Sequence, residues 1–249
     1  MIFVKIIVCI KGIAVSKISK NDSDDEYKVG TKDMYALKTA LALKERYPLV
    51  IEVICMAPHS LCDILKSLYI YDINKIYLAA DSLFAGADTF ATSFVLHKMI
   101  EKIGMADIIL CGKSSDDSGT AQIGPSLAER LKYELINNIS SIEIDGHHIK
   151  CESSSEKIKY MIETEQSIVG TIDCPPIDST YPSLRNILGQ KKDVTIFSAN
   201  DLGISINQIQ SKTKVVKLFS YEKSEIGEFI TGDISDMAIK FIDIIKLYN

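Results

Sequence analysis

The chain has 249 residues, 47% of them apolar and 24% charged, with a formal net charge of -5. That length and apolar share allow one core-forming domain plus an appendage, and no apolar run approaches the roughly 18–20 residues that a membrane helix needs. The acidic balance disfavours non-specific contact with nucleic acid, and no DNA or RNA recognition module is visible.

The opening MIFVKIIVCIKG reads as a buried strand, because β-branched residues dominate it and no small-residue cleavage site follows. A cytoplasmic protein is therefore expected. Strand-like runs at Ile2–Ile10, Val50–Met56, Lys75–Ala79 and Asp107–Cys111 alternate with helical patterns at Asp33–Tyr47 and Asp88–Ile103. This alternation predicts an α/β fold with a mostly parallel, helix-covered sheet.

Between the first strand and the first helix, the polar stretch Ser16–Lys32 suits a mobile loop or a small exposed hairpin, a lid or a surface excursion. From Leu135 onward short antiparallel strands are expected at Ile142–Ile144, His147–Glu152 and Lys157–Glu163, turning at Asp145-Gly146 and extending the main sheet. After Cys174 the prolines at 175, 176 and 182 interrupt structure, and apolar periodicity returns at Ser235–Tyr248, a helix with Phe241, Ile244, Ile245 and Tyr248 on one face. A tail so poor in core residues suits wrapping a neighbouring surface, which divides the chain into residues 1–180 and 181–249.

Six cysteines are scattered without a C-x-x-C pair, as expected of reduced core residues. His147 and His148 would point to opposite faces of a strand, and His59 and His97 lack ligands at metal spacing, so no metal site is expected. No Ser/His/Asp set or paired carboxylates stand at readable spacing, so any chemistry should come from a cofactor.

In an open parallel sheet, ligands bind beyond the carboxyl ends of the strands. Here those ends are Cys9-Ile10-Lys11, Met56-Ala57-Pro58, Asp81–Thr92 and Gly112–Gly124. The last reads CGKSSDDSGTAQIGP from Cys111, with a helix expected to begin near Thr120 and to offer free N–H groups to a phosphate. It is not a Walker loop, since the first glycine of that motif would fall on Asp107. A glycine-containing turn capped by Thr120 or Ser118 explains the same letters without a ligand. Likewise Asp88, Thr89 and Thr92 either meet a ribityl chain or ribose from one helical face, or Asp88 only caps its helix.

Taken together, KIIVCIKG (Lys5–Gly12), DMYALKTALALKE (Asp33–Glu45), VICMAP (Val53–Pro58), FAGADTFATS (Phe84–Ser93) and GTAQIGPSLAERL (Gly119–Leu131) resemble the electron transfer flavoprotein beta subunit, nearly end to end. YPSLRNILGQKK (Tyr181–Lys192) is similar to that family's partner-recognition loop, and the remainder to its C-terminal arm. The resemblance implies a Rossmann-like, adenine-nucleotide-binding core, an arm that wraps an alpha subunit, and a flavin shuttle serving dehydrogenases. FAGADTFATS and TAQIGP are similar to the electron-bifurcating branch, which implies FAD in the beta subunit, with a hydride received from NADH, where the respiratory branch holds AMP. Implied partners are the alpha subunit, an acyl-CoA or hydroxy-acid dehydrogenase, and ferredoxin or flavodoxin as low-potential acceptor.

Carried over by position, Cys9, Ile10 and Lys11 would line the nucleotide, with Met56 and Ala57 near the adenosine. Cys111, Gly112 and Lys113 lead into a phosphate cradle of Asp117, Ser118, Gly119, Thr120, Ala121 and Gln122. Phe84, Ala85, Gly86, Asp88, Thr89 and Thr92 would lie near the ribityl chain and ring. Leu184 would be the anchor that partner dehydrogenases grip. The chain departs from the family's pattern at Gly30-Thr31, where Asn-Pro is usual, and in the loop Ser114–Thr120, which keeps Asp117 and Thr120 but has glycine where a second aspartate is usual. Against the bifurcating reading stand a respiratory-type subunit with structural AMP and a stand-alone adenine-nucleotide-binding regulator.

Overall fold

The computed structural model describes residues 4–15, 26–155, 158–176, 181, 182, 184, 186, 192–209, 211, 216 and 229–247. They fall into two compact units, Met1–Thr213 and Lys214–Asn249.

The first unit is built on seven parallel strands in the order β12-β5-β4-β1-β6-β11-β7. Its central strands, β1 (Val4–Ile10), β4 (Leu49–Met56), β5 (Lys75–Ala79) and β6 (Ile108–Gly112), stand within a residue or two of the runs read from the sequence. They are apolar on both faces because both are covered. Ile6, Val8 and Ile10 of β1 pack with α1 (Thr31–Arg46) through Ala36, Leu37 and Ala40. Ile7 and Cys9 face the opposite layer, formed by α3 (Thr89–Ile103) and α4 (Ile123–Leu131) through Val95, Met99 and Leu127. The short helix α2 (Cys62–Ser67) follows β4. The chain steps outward from β1 through β4 to β5, then crosses back to lay β6 on β1's other side, so the carboxyl ends of β1 and β6 form a switch point.

The hairpin of β2 (Gly12–Val15) and β3 (Glu26–Val29) leads from β1 into α1, and the intervening part of the polar stretch lies outside the described residues. The expectation that the antiparallel strands extend the main sheet is corrected. β8 (Ile139–Asp145), β9 (His148–Ser155) and β10 (Ile158–Thr164) form a separate three-stranded sheet. The position beside β6 is taken by β11 (Ile168–Ile172), buried throughout, which in turn carries β7 (Glu134–Ile136). A strand apolar on both faces outcompetes the alternating β8–β10 set for a doubly covered slot.

A second difference lies after Cys174. β12 (Thr195–Phe197) pairs with β5, Phe197 stacks on Tyr77 at 5.7 Å between centroids, and Ala199, Leu202, Ile204 and Ile209 are buried in the core. The first unit therefore runs past 180 to Thr213. In the second unit, α5 (Ile234–Leu247) matches the expected terminal helix, and its first turn is held by Asp233, which accepts from the N–H groups of Ser235 and Asp236. Ile239, Phe241, Ile242, Ile244 and Ile245 of α5 are exposed. No helix among the described residues is long and apolar enough to cross a membrane.

Candidate functional site

The carboxyl ends of β1, β4, β5 and β6 open into one cleft of about 1200 Å³. Cys9, Ile10 and Lys11 form its floor with Cys111 and Gly112, and Met56, Ala57 and Ala80 form one flank. The start of α3 forms the other, and the loop from Lys113 to Ile123 closes the end.

Asp33, in the first turn of α1, sets the geometry of the floor. Its carboxylate accepts the backbone N–H of Lys11 at 2.8 Å and that of Gly112 at 3.1 Å, so one side chain joins the ends of β1 and β6. The approach is so close that a Cβ on Gly112 would stand 2.5 Å from Asp33 Oδ1 and 2.9 Å from the backbone of Lys32 and Asp33. Only glycine fits there. Asp33 is only 8% exposed, and this burial, outweighing the two N–H bonds, pushes its carboxyl from 3.8 up to about 6. Burial likewise raises the thiols of Cys9, Cys55 and Cys111, the last two to about 12, so they stay neutral and are not nucleophiles.

The loop between β6 and α4 is tied to both neighbours. Asp116 accepts from the backbone N–H and hydroxyl of Thr31 at 3.1 and 2.9 Å, capping from outside a helix whose own N-cap, Gly30, has no side chain. Asp117 pairs with Lys11 Nζ at 2.7 Å. Burial would raise the Asp117 carboxyl, but hydrogen bonds from Lys11, Ser115 and the Ser118 N–H hold it at about 2. Lys32 donates to Ser114 at 3.0 Å, and both Lys32 and Lys113 pair with Asp173.

At the loop's far end the helix expected near Thr120 starts at Ile123, because Gly119 (φ 61°) and Ala121 (φ 56°) adopt left-handed backbone. Ala121 there is strained in a way that glycine would not be, a feature that concentrates at binding sites. The N-cap Gln122 makes no side-chain cap, which leaves the first turn's N–H groups without one. Gln122 Oε1 instead accepts the Thr89 hydroxyl at 2.7 Å, joining α4 to α3 across the cleft.

Asp88 caps α3 by accepting the Ala91 N–H at 2.9 Å, and its own N–H donates to Ser211 Oγ at 2.8 Å. Asp81, at the end of β5, accepts from the N–H groups of Leu83 and Ala199, and these bonds hold its carboxyl below the usual range.

All the residues expected at the nucleotide line this cleft except Asp117 and Gly119. Asp117 is turned to Lys11, and Gly119 forms the bend. Leu184 is no part of the cleft, and its side chain is 76% exposed; most of Tyr181–Lys192 lies outside the described residues. Sequence reasoning missed Asp33, His59, Ala80, Leu96 and Ser198 as lining residues, since all five lie outside the strand ends read from the sequence. An acidic first-turn residue reads as a dipole partner, and only the strand register reveals what Asp33 bridges. Among the described residues no group of three or more His, Cys, Asp or Glu is placed to hold a metal ion.

Comparison with known proteins gives this cleft its context. The electron transfer flavoprotein domain model matches residues 21–202. An electron transfer flavoprotein subunit beta of Thermoanaerobacterium thermosaccharolyticum is 31% identical over 220 residues, covering 86% of this chain and 84% of the relative. The caffeyl-CoA reductase-Etf complex subunit CarD of Acetobacterium woodii is 30% identical over 209 residues, covering 80% and 78%. Protein FixA of Azorhizobium caulinodans is 30% identical over 184 residues, covering 69% and 64%. With the domain model spanning most of the chain, and a beta-subunit relative 31% identical over 86% of it, the chain belongs to the electron transfer flavoprotein family, on its beta-subunit side.

Proposed function

We propose that the chain is the beta subunit of a bifurcating electron transfer flavoprotein, that its cleft holds FAD, and that NADH is the hydride donor. The observation that carries this reading is the reach of the cleft. At about 1200 Å³ it exceeds the roughly 300–1,000 Å³ of ordinary small-molecule sites. It continues from the phosphate loop past Phe84, Ala85 and Gly86 to Thr92, which is more room than a mononucleotide fills.

The residues present fit the group. The α4 N-terminus without a side-chain cap and the positive-φ turn at Ala121 present backbone N–H groups suited to a diphosphate. Lys11 and Lys113 stand at the same end, paired with Asp117 and Asp173, and a diphosphate would share these ammonium groups with the two carboxylates. The buried Phe84 and the small Ala85 and Gly86 leave an apolar stretch of wall for a ring system. Bound there, FAD would take two electrons as a hydride and release them singly. The chain's part is to fix the ring against that wall and to hold the diphosphate between Lys11 and α4. The tie between Thr89 and Gln122 keeps the two walls at constant spacing.

The exposed apolar face of α5 and the exposed Leu184 support roles in gripping an alpha subunit and a dehydrogenase. The relative from a caffeyl-CoA reductase complex supports a CoA-thioester dehydrogenase as that partner. The test is nucleotide extraction from the complex co-purified with its alpha subunit. FAD from both subunits and no AMP is expected. AMP in place of the second FAD would move the chain to the respiratory type, and neither nucleotide would overturn both readings of the cleft.

A further inference from the structure

Asp33 is a buried carboxyl that lines the cleft, and among the described residues no ion pair includes it. Its two oxygens accept the N–H groups of Lys11 and Gly112 at the ends of β1 and β6. Two glycines wall it in. A Cβ on Gly30 would stand 2.9 Å from Oδ2, and one on Gly112 would stand 2.5 Å from Oδ1.

The charges around this carboxyl are engaged elsewhere. Lys11, at the end of β1, pairs with Asp117 at 2.7 Å, and Lys32, on Asp33's own helix, pairs with Asp173 at 2.7 Å. Lys113, following β6, shares Asp173 at 3.0 Å. The thiols of Cys9, Cys55 and Cys111, on β1, β4 and β6, are neutral. Burial raises the Asp33 carboxyl most, the two N–H bonds oppose it, Asp116 adds like charge from the loop, and Lys11 offsets part of that. The balance falls at about 6, so the group exchanges its proton in the range where the protein works.

A nucleotide diphosphate would bring two negative charges into the same cleft. Like charge near a buried carboxylate disfavours its ionised form. The ammonium groups at hand are already shared with Asp117 and Asp173, so the filled cleft is lower in energy with a proton on Asp33.

We propose that Asp33 is the proton acceptor of the cleft: a nucleotide diphosphate binds together with one proton, taken from solvent by the Asp33 carboxylate, so that the grip on the nucleotide tightens as the pH falls. This rests on the reading of the cleft as a site for an adenosine diphosphate group, of which FAD is one bearer. The sign follows from linkage, since a ligand that favours the protonated form binds more tightly where that form is populated. A rise of about one pKa unit on binding would strengthen affinity about sevenfold from about pH 8 to about pH 5.5, with uptake of about half a proton near pH 6.5.

Calorimetric titration of the complex with its alpha subunit, cleared of nucleotide on this chain, tests this in two buffers of different ionisation enthalpy. The probes are FAD and ADP-ribose, which share an adenosine diphosphate group whose phosphates do not titrate in this range. His59 also lines the cleft, so the count is repeated with His59→Gln, which should leave the uptake in place. Asp33→Asn should abolish the uptake and flatten the pH dependence. Its amide would turn an NH2 toward one strand-end N–H, so should that variant fail to fold, the proton count on the native chain and on His59→Gln decides. Binding without proton uptake, uptake lost in His59→Gln, or uptake that persists in Asp33→Asn would each overturn the proposal. ADP-ribose taken up with a proton while FAD is refused would overturn the flavin reading and uphold the role of Asp33, whereas a cleft that binds neither probe would overturn both.

Discussion

Asp33 accepts one backbone N–H from the end of each of two strands and is largely buried there, which makes its ionisation a stability term. Its folded pKa of about 6 lies above the ordinary 3.8, so the folded state binds the proton more tightly. The stabilisation is full below about pH 4 and is lost as the pH rises through 6. Asn at this position does not titrate, so the stability difference between the native chain and Asp33→Asn should fall by about 3 kcal/mol between pH 4 and 7 and stay flat above. Denaturant unfolding at a series of pH values measures this, and a difference independent of pH would contradict it. Gly112→Ala should cost roughly 2 kcal/mol or more, because the new Cβ meets backbone that cannot turn aside. Lys11→Gln should weaken nucleotide retention about tenfold through loss of a charge-assisted contact at the diphosphate end, with the melting temperature little changed.

At the scale of elements, strands β1, β4, β5 and β6 and helices α1 and α3 were legible because long apolar runs and clear helical periods leave one solution each. The start of α4 was not. Thr120 has the letters of a cap, but the left-handed turns at Gly119 and Ala121 are set by what the loop is tied to, Thr31 and Lys11, far off in sequence. β12 was missed for a related reason: three residues make a strand only when β5 presents an open edge beside them. The site was legible where it follows strand ends. It was illegible where one side chain joins two of them, as Asp33 does. The external cap on α1 gives a further expectation: Asp116→Ala should lower stability by about 1 kcal/mol, read as a lower denaturant midpoint with unchanged slope, since it removes the acceptor for Thr31.

At the scale of the whole molecule, a covered parallel sheet with a cleft at its switch point is joined in sequence to a unit whose helix leaves Ile239, Phe241, Ile242, Ile244 and Ile245 exposed. A chain ending at Thr213 should therefore keep cooperative unfolding of the first unit and lose co-purification with the alpha subunit. The central claim, that the cleft holds a flavin and not a mononucleotide, is tested most directly by counting flavin in complexes carrying the native chain or Ala85→Trp. Ala85 is exposed on the cleft wall beside Phe84 and Gly86, so the indole would fill the proposed ring position. The account predicts that the native complex carries flavin on both subunits and that the variant loses the beta-subunit flavin while staying folded and bound to the alpha subunit. Flavin content equal in the two complexes would contradict it.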